Sequence, residues 1–104
     1  MSGGVTLKVS AKSSPNAVAG ALAAALRERD KVEVQAVGAG AINQAIKAVA
    51  IARGFLKGAQ WDAVCSPSFV LVEIGESERT AISLMVERRK LEEKPQEEKV
   101  QIED

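Results

Sequence analysis

The sequence predicts an α/β fold of the two-layer α+β type, in which two helices cover one face of a mixed sheet. Two segments with helical spacing alternate with segments of alternating apolar and polar residues, and this order favours parallel strands joined by right-handed crossovers. A polar stretch that contains glycine, residues 75–79, separates the last two extended segments and predicts a hairpin loop. The predicted order is therefore β-α-β-α-β-β.

The first three elements follow from local patterns. Alternation over residues 6–10 predicts a strand, after which Ser14 and Pro15 are suited to the N-cap and the first position of a helix. The apolar face of this helix recurs every four residues, at Val18, Leu22 and Leu26. Alternation over residues 31–37 predicts the second strand, which has three small apolar residues on one side: Val32, Val34 and Ala36.

The second helix, predicted over about residues 41–55, follows a turn that contains Gly38 and Gly40. Small apolar residues cover it nearly all round, which indicates burial on two sides. Because the predicted sheet covers only one side, we expect a second copy of the chain to cover the other. The predicted dimer interface consists of Ile42, Ile46, Val49 and Ala50.

The remaining strands are predicted over residues 62–66, 69–74 and 80–87. Pro67 is expected to stop or bulge the first of these, because proline cannot donate a hydrogen bond to a strand ladder. Beyond Arg88 the periodicity is lost and acidic residues dominate. We therefore expect one domain, residues 1–88, followed by a disordered acidic tail, residues 89–104.

Composition limits the function. The chain has 14 basic and 14 acidic residues, but residues 1–58 contain eight basic and three acidic ones, whereas residues 91–104 contain two and six. Apolar residues make up 46% and aromatic residues only 3%, so a core of Ala, Val, Ile and Leu leaves little room for a small-molecule substrate. A basic body of this kind is suited to a polyanion.

Catalysis and cofactor binding are not expected. The chain has no histidine or tyrosine, and its single cysteine, Cys65, has no base to activate it and no second cysteine for a disulfide or metal site. The third glycine of a dinucleotide fingerprint would fall at Asn43. We therefore predict no enzyme, cofactor or metal. The sequence also shows no signal-peptide pattern and no membrane span, so we expect a cytoplasmic protein with no membrane partner.

Two segments, "LKVSAKSSPNAVAGALAAALRER" and "VQAVGAGAINQAIKAVAIARGF", resemble the stage V sporulation protein S family, small bacterial proteins that affect sporulation. The resemblance extends over residues 5–88 and includes the hairpin "GESERTAI". That family is similar in fold to Alba-type chromatin proteins, which dimerise and bind DNA or RNA. The Alba signature is echoed at residues 40–42 and 45–49, although its arginine is absent and its basic first loop is reduced to Lys12.

The resemblance implies a homodimer, or a higher oligomer, that binds the backbone of DNA or RNA modestly and affects sporulation. A lysine between serines at a helix start also favours an anion. The candidate nucleic-acid-binding residues are Lys12, Ser13, Ser14, Gly40, Asn43, Lys47, Arg53 and Arg79. The alternative is a protein-interaction module in sporulation or cell division without nucleic-acid contact. The zero net charge favours the alternative, and the basic first 58 residues favour nucleic acid.

Overall fold

The computed structural model describes residues 4–92 and 100–103, and its elements follow the predicted order. They are β1 (Thr6–Val9), α1 (Pro15–Glu28), β2 (Lys31–Ala36), α2 (Ala39–Leu56), a 3₁₀ turn (Lys57–Ala59), β3 (Trp61–Ile74) and β4 (Ser77–Lys90). The four strands form one mixed sheet in the order β1-β2-β4-β3. The predicted α/β class is confirmed, and the architecture is compatible with an Alba-like fold.

The core lies between the sheet and the two helices. In β2, Val32, Val34 and Ala36 are buried as predicted, and antiparallel pairing places Val86 and Leu84 beside the first two. Against this surface α1 and α2 pack mainly through alanine and leucine. The largest fully buried side chains are Leu22, Leu26, Leu56, Val32, Val34 and Val86. Close packing of small side chains therefore replaces an aromatic core.

The helix starts have different capping chemistry. Ser14 caps α1 as predicted, since its hydroxyl oxygen accepts a hydrogen bond from the Ala17 N–H at 3.3 Å and Pro15 is the first helical residue. Helix α2 begins at Ala39, two residues earlier than predicted, because Gly38 at φ 90° makes the turn out of β2. The α2 cap has no side-chain hydrogen bond.

The prediction that Pro67 interrupts its strand is wrong. Strand β3 runs without a break from Trp61 to Ile74, and Pro67 pairs with Leu84 in an unshifted register. A proline is tolerated there because β3 lies at the edge of the sheet, where one side of the strand has no partner. The hairpin turn is also shorter than predicted: Gly75, at φ 62°, and Glu76 form it, and β4 already begins at Ser77.

The ends of three strands also differ from the predictions. Strands β1 and β2 end at Val9 and Ala36, each one residue early, and β4 extends to Lys90, two residues beyond the predicted domain boundary. Of the predicted disordered tail, residues 93–99 and 104 lie outside the described residues, and residues 100–103 are exposed without regular structure. Among the helices described here, none is long and apolar enough to cross a membrane.

Candidate nucleic-acid interface

The loop between β1 and α1 packs against the start of α2. The Gln44 side chain donates from Nε2 to the Ser13 carbonyl oxygen at 3.0 Å. A Cβ atom added to Gly40 would lie 3.0 Å from the Ala11 Cβ, so the loop packs closely against this glycine. The structure therefore brings four of the predicted residues together at one end of the domain: Lys12, Ser13, Ser14 and Gly40.

The loop itself is organised by serines. The Ser10 N–H donates to the Ser13 hydroxyl oxygen at 2.9 Å, and the Lys12 N–H donates to the Ser10 hydroxyl oxygen at 3.2 Å. The Ser13 and Ser14 hydroxyl oxygens thus accept local backbone hydrogen bonds. The Ser13 and Ser10 hydroxyl oxygens also lie 3.4 Å apart and share a hydrogen bond, whereas the Ser14 hydroxyl keeps its proton to donate. Lys12 is exposed at the turn. The arrangement presents one ammonium group and two hydroxyls beside a helix N-terminus.

The outer face of α2 continues this surface. The helix is buried along Ala41, Ala45, Ala48 and Ala52, and a rotation of about 100° per residue places Asn43, Lys47 and Ala50 on the opposite, exposed side. Lys47 follows Asn43 by one turn. The sequence contains no acidic residue between Glu33 and Asp62, so no carboxylate of α2 or of its flanking turns opposes these groups.

The predicted dimer residues fall into two groups. Val49 is only 7% exposed and belongs to the core of its own protomer, whereas Ile46 is 48% exposed and Ala50 is exposed. Ile42 is half-buried between them. Ile42 and Ile46 lie on the same flank of α2 as Arg53, the flank that faces β3. Ile42 and Ile46 therefore form a partly exposed apolar surface on this flank of α2, whereas Val49 belongs to the core.

Two exposed residues of β3 were not singled out from the sequence. Phe69 is 79% exposed and Leu71 is 65% exposed. Both share the helix-side face of the sheet, because Phe69 pairs with Ile82 and Leu71 with Thr80. Strand β2 pairs with β4 only over residues 82–87, so the hairpin extends beyond β2. Leu71, opposite Thr80, lies beyond the end of β2, whereas Phe69, opposite Ile82, lies level with that end. From the sequence alone, the apolar run 69–72 predicts buried side chains. In the structure Phe69 and Leu71 are exposed instead.

Arg53 is an ion-pair partner rather than the free cation that the sequence predicts. Its Nε lies 2.8 Å from Asp62 Oδ1 and its Nη2 lies 3.1 Å from Oδ2, and this hydrogen bonding, with the attraction of the carboxylate, raises the pKa of Arg53. Asp62 is buried and also accepts from the Ala63 N–H at 2.8 Å. A second guanidinium, that of Arg89, lies 4.0 Å from Asp62 Oδ2. Arg89 was not a candidate site residue in the sequence analysis, because the sequence of β4 does not show that Arg89 lies opposite Asp62 of β3.

Arg79 lies on the hairpin, in a part of the sequence that is rich in glutamate. Glu76 is in the turn, and Glu78 pairs directly with Glu73 across the two strands. Three acidic residues thus share the tip with one basic residue, which is unfavourable for a phosphate. No described contact joins Arg79 to the predicted lysines, Lys12 and Lys47. The neighbouring glutamates are visible in the sequence and were a usable signal against this assignment.

The sheet face opposite the helices carries a carboxylate. Glu33 accepts hydrogen bonds from Ser83 Oγ at 2.7 Å, Gln35 Nε2 at 3.0 Å and Thr6 Oγ1 at 3.3 Å. Hydrogen bonding by Gln35, then Ser83 and Thr6, lowers the pKa of Glu33, and partial burial opposes this effect. The ionised group joins β1, β2 and β4 on this face and repels phosphate from it.

The geometry that bears on small-molecule and metal sites is a small cavity and the placement of the acidic and cysteine side chains. A cavity of about 170 Å³ lies between the hairpin and the ends of β1 and β2, lined by residues that include Lys8, Gln35, Val37 and Ile74. Pockets for drug-sized ligands have about 300–1,000 Å³. Within residues 4–92 and 100–103, no group of three or more Cys, Asp or Glu side chains is placed to hold a metal ion.

A comparison with protein-family models matches residues 5–89 to the model for Stage V sporulation protein S (SpoVS). The match includes both helices and every strand except the last residue of β4, and it stops before most of the acidic residues at the end of the chain. It agrees with the resemblance of the two helical segments and the hairpin. The family is of the sporulation-regulator type and is not a known family of enzymes. The chain therefore belongs to the stage V sporulation protein S family, which implies a role related to sporulation.

Proposed function

We propose that this protein is a homodimeric regulator that binds the nucleic-acid backbone through the loop–helix surface, defined as Lys12, Ser13, Ser14, Gly40, Asn43 and Lys47. The observation that carries the proposal is the packing of the Lys12 loop against the start of α2, whose outer face is exposed. Residues 34–61, which include all of α2, contain no aspartate or glutamate. Two ammonium groups, a helix N-terminus and polar side chains then face solvent without a carboxylate from α2 or its flanking turns. Such a surface suits phosphates.

The chemistry of this surface favours weak binding without sequence preference. Lysine binds phosphate as a point charge, and phosphate contacts position a protein without reading the bases. Two lysines per protomer provide four contacts in a dimer, which corresponds to a salt slope of about −3.6 on duplex DNA. We assign no phosphate contact to Arg53, which is held by Asp62, or to Arg79, which lies among glutamates.

The apolar surface supports the homodimer. Ile46, Phe69 and Leu71 are large exposed apolar residues on the β3 flank of α2 and on the helix-side face of the hairpin. Contiguous exposed apolar patches mark interaction sites on proteins. A second copy related by a two-fold axis would cover them with the same groups. Lys47 lies about 100° further around α2 than Ile46, so dimerisation and phosphate contact use different sides of the helix.

The first experiment tests the phosphate contacts. Fluorescence anisotropy is measured with a mixed-sequence 20-base-pair duplex and with a single-stranded RNA of the same length, at several salt concentrations. We expect Lys12→Gln/Lys47→Gln to weaken binding of every sequence and to flatten the salt slope by about 3.6 per dimer. Lys8→Glu serves as the matched control, because it changes the charge equally at an exposed site outside this surface. Binding by the double variant equal to wild type contradicts the assignment.

The second experiment tests the dimer. Light scattering at micromolar concentration is expected to show a dimer for the wild type and a monomer for Phe69→Ser/Leu71→Ser, whose side chains are exposed and add little to the core. A monomeric wild type contradicts the proposed assembly. The same exposed residues favour the second candidate function, a protein-interaction module. A wild type that binds neither DNA nor RNA at low salt would support that module instead.

A further inference from the structure

The domain end opposite the Lys12 loop is where both helices finish and several strand ends meet. Arg27 Nη2 donates to the Phe55 carbonyl oxygen at 3.1 Å, which joins the ends of α1 and α2. Arg88 Nη1 donates to the carbonyl oxygens of Leu26 and Arg27, both at 3.1 Å. We call this region the basic end and define it as residues 27–31, 53–57, 60–62 and 87–92.

Positive charge is concentrated at the basic end. Its eight basic residues are Arg27, Arg29, Lys31, Arg53, Lys57, Arg88, Arg89 and Lys90, and its five acidic residues are Glu28, Asp30, Asp62, Glu87 and Glu92. The surplus of three equals the whole surplus of residues 4–92, which contain twelve basic and nine acidic residues. The rest of residues 4–92 is balanced, with four basic and four acidic residues: Lys8, Lys12, Lys47 and Arg79, and Glu33, Glu73, Glu76 and Glu78.

Some of these cations have structural roles. Arg88 binds the last carbonyls of α1, lies 3.2 Å from Asp30 and stacks 4.3 Å above the Trp61 ring. Arg27 binds the end of α2. Both positions suit cations, because a helix C-terminus carries partial negative charge. These contacts give two of the eight basic residues, Arg27 and Arg88, structural roles at the helix ends.

The group around Asp62 has an excess of positive charge. One buried carboxylate lies between two guanidinium groups, with Arg53 bound through two hydrogen bonds and Arg89 4.0 Å away. The Arg89 side chain is 45% exposed and keeps most of its donors for a ligand. Lys57 is exposed and follows Arg53 by one helical turn. Arg89 and Lys57 therefore offer a forked donor and a point charge at the same end of the domain.

We propose that the basic end is a second phosphate-binding surface for the nucleic-acid backbone, with Arg89 and Lys57 as its principal contacts and Lys90 beside them. It rests on the proposed function, because the ligand is the same backbone that the loop–helix surface contacts. Lys57 follows Lys47 by ten residues, a rise of about 15 Å along the helix direction. The forked guanidinium of Arg89 fits two oxygens of one phosphate. Together the two surfaces follow the length of α2.

The test uses the full chain and the same 20-base-pair duplex. We expect Lys57→Gln/Arg89→Gln to weaken binding about tenfold or more at 50 mM salt and to reduce the salt slope. The control Lys8→Glu, with the same charge change, should have a much smaller effect. Circular dichroism and thermal unfolding check the fold. If Arg89→Gln unfolds the domain, Lys57→Glu/Lys90→Glu leaves the Asp62 group intact and is expected to weaken binding equally.

The outcomes separate this proposal from the proposed function. Weaker binding with Lys57→Gln/Arg89→Gln but not with Lys12→Gln/Lys47→Gln supports the basic end and refutes the loop–helix surface. The reverse result overturns the basic end alone. A wild type that binds a polyglutamate peptide but no duplex, and loses the peptide in the Lys57/Arg89 variant, also overturns it, because the partner is then an acidic protein segment.

Discussion

Replacing Gly40 by alanine is expected to destabilise the protein, whereas the same replacement at Gly20 should stabilise it. Both glycines lie in helices, Gly20 inside α1 and Gly40 in the first turn of α2. A Cβ at Gly20 would meet no described atom within 4 Å, whereas a Cβ at Gly40 would lie 3.0 Å from the Ala11 Cβ. The two substitutions thus have the same chemistry and opposite surroundings.

The magnitudes follow from these distances. At Gly20 the gain in helix propensity is about 0.5–1 kcal/mol. At Gly40 the gain is smaller, because the first turn is incompletely hydrogen-bonded, and the Ala11 loop must move by several tenths of an ångström. Overpacking in a well-packed core costs about 1–3 kcal/mol, and the cost here lies at the lower end because Ala11 and Gly40 are exposed. We therefore expect Gly40→Ala to lower the free energy of unfolding by up to about 1 kcal/mol.

Urea denaturation of wild type, Gly20→Ala and Gly40→Ala at one protein concentration provides the comparison, since the stability of a dimer depends on concentration. In thermal unfolding, 1 kcal/mol corresponds to about 4–8 °C for a domain of this size. Equal stabilisation by both substitutions would refute the reasoning, because it would mean that the Lys12 loop is not held against α2.

Three further predictions concern the rest of the domain. Arg88→Ala should lower the free energy of unfolding by about 2–3 kcal/mol in urea denaturation, since it removes two hydrogen bonds to the end of α1 and the stacking on Trp61; an unchanged midpoint contradicts this. The pKa of Glu33 in the folded protein is below its ordinary value of 4.5. Ionised Glu33 therefore stabilises the fold at pH values above 4.5, and this contribution is lost as the pH falls through the folded-state pKa. The difference in melting temperature between wild type and Glu33→Gln should therefore shrink from pH 6 to pH 3, and a constant difference counts against the network. Deleting residues 93–104, which contain five acidic and two basic residues, should leave the melting temperature nearly unchanged and tighten duplex binding, because β4 ends at the basic end; unfolding of the truncated chain would show that the tail belongs to the fold.

Much of the fold is predictable because its signals are local. The cap at Ser14, the alternation at Val32 and Val34 and the four-residue spacing of Leu22 and Leu26 each involve only near neighbours, and all are confirmed. The path of β3 through Pro67 is different. It depends on β3 lying at the sheet edge, which is a property of strand order and cannot be read from the residues around the proline.

The candidate site was predictable only in part. The small residues around Gly40 correctly indicate a tight turn, but the closeness of Ala11 to this glycine follows from the pairing of β1 with β2. Ile46 and Val49, three residues apart on one predicted face, differ in burial because the axis of the buried stripe runs along Ala41, Ala45, Ala48 and Ala52. Periodicity in an all-apolar helix does not identify which side faces the sheet.

The sequence by itself determined the element order, the alanine-rich core and, through long matching segments, the family. Only the tertiary structure decided where the charges act. Arg27, Lys57 and Arg89 are far apart along the chain, and they lie at the same end of the domain because two helices and β4 end there. Arg53 is bound to Asp62 for the same reason. Electrostatic interactions depend on distance in space, and the spacing of residues along a chain does not contain that distance.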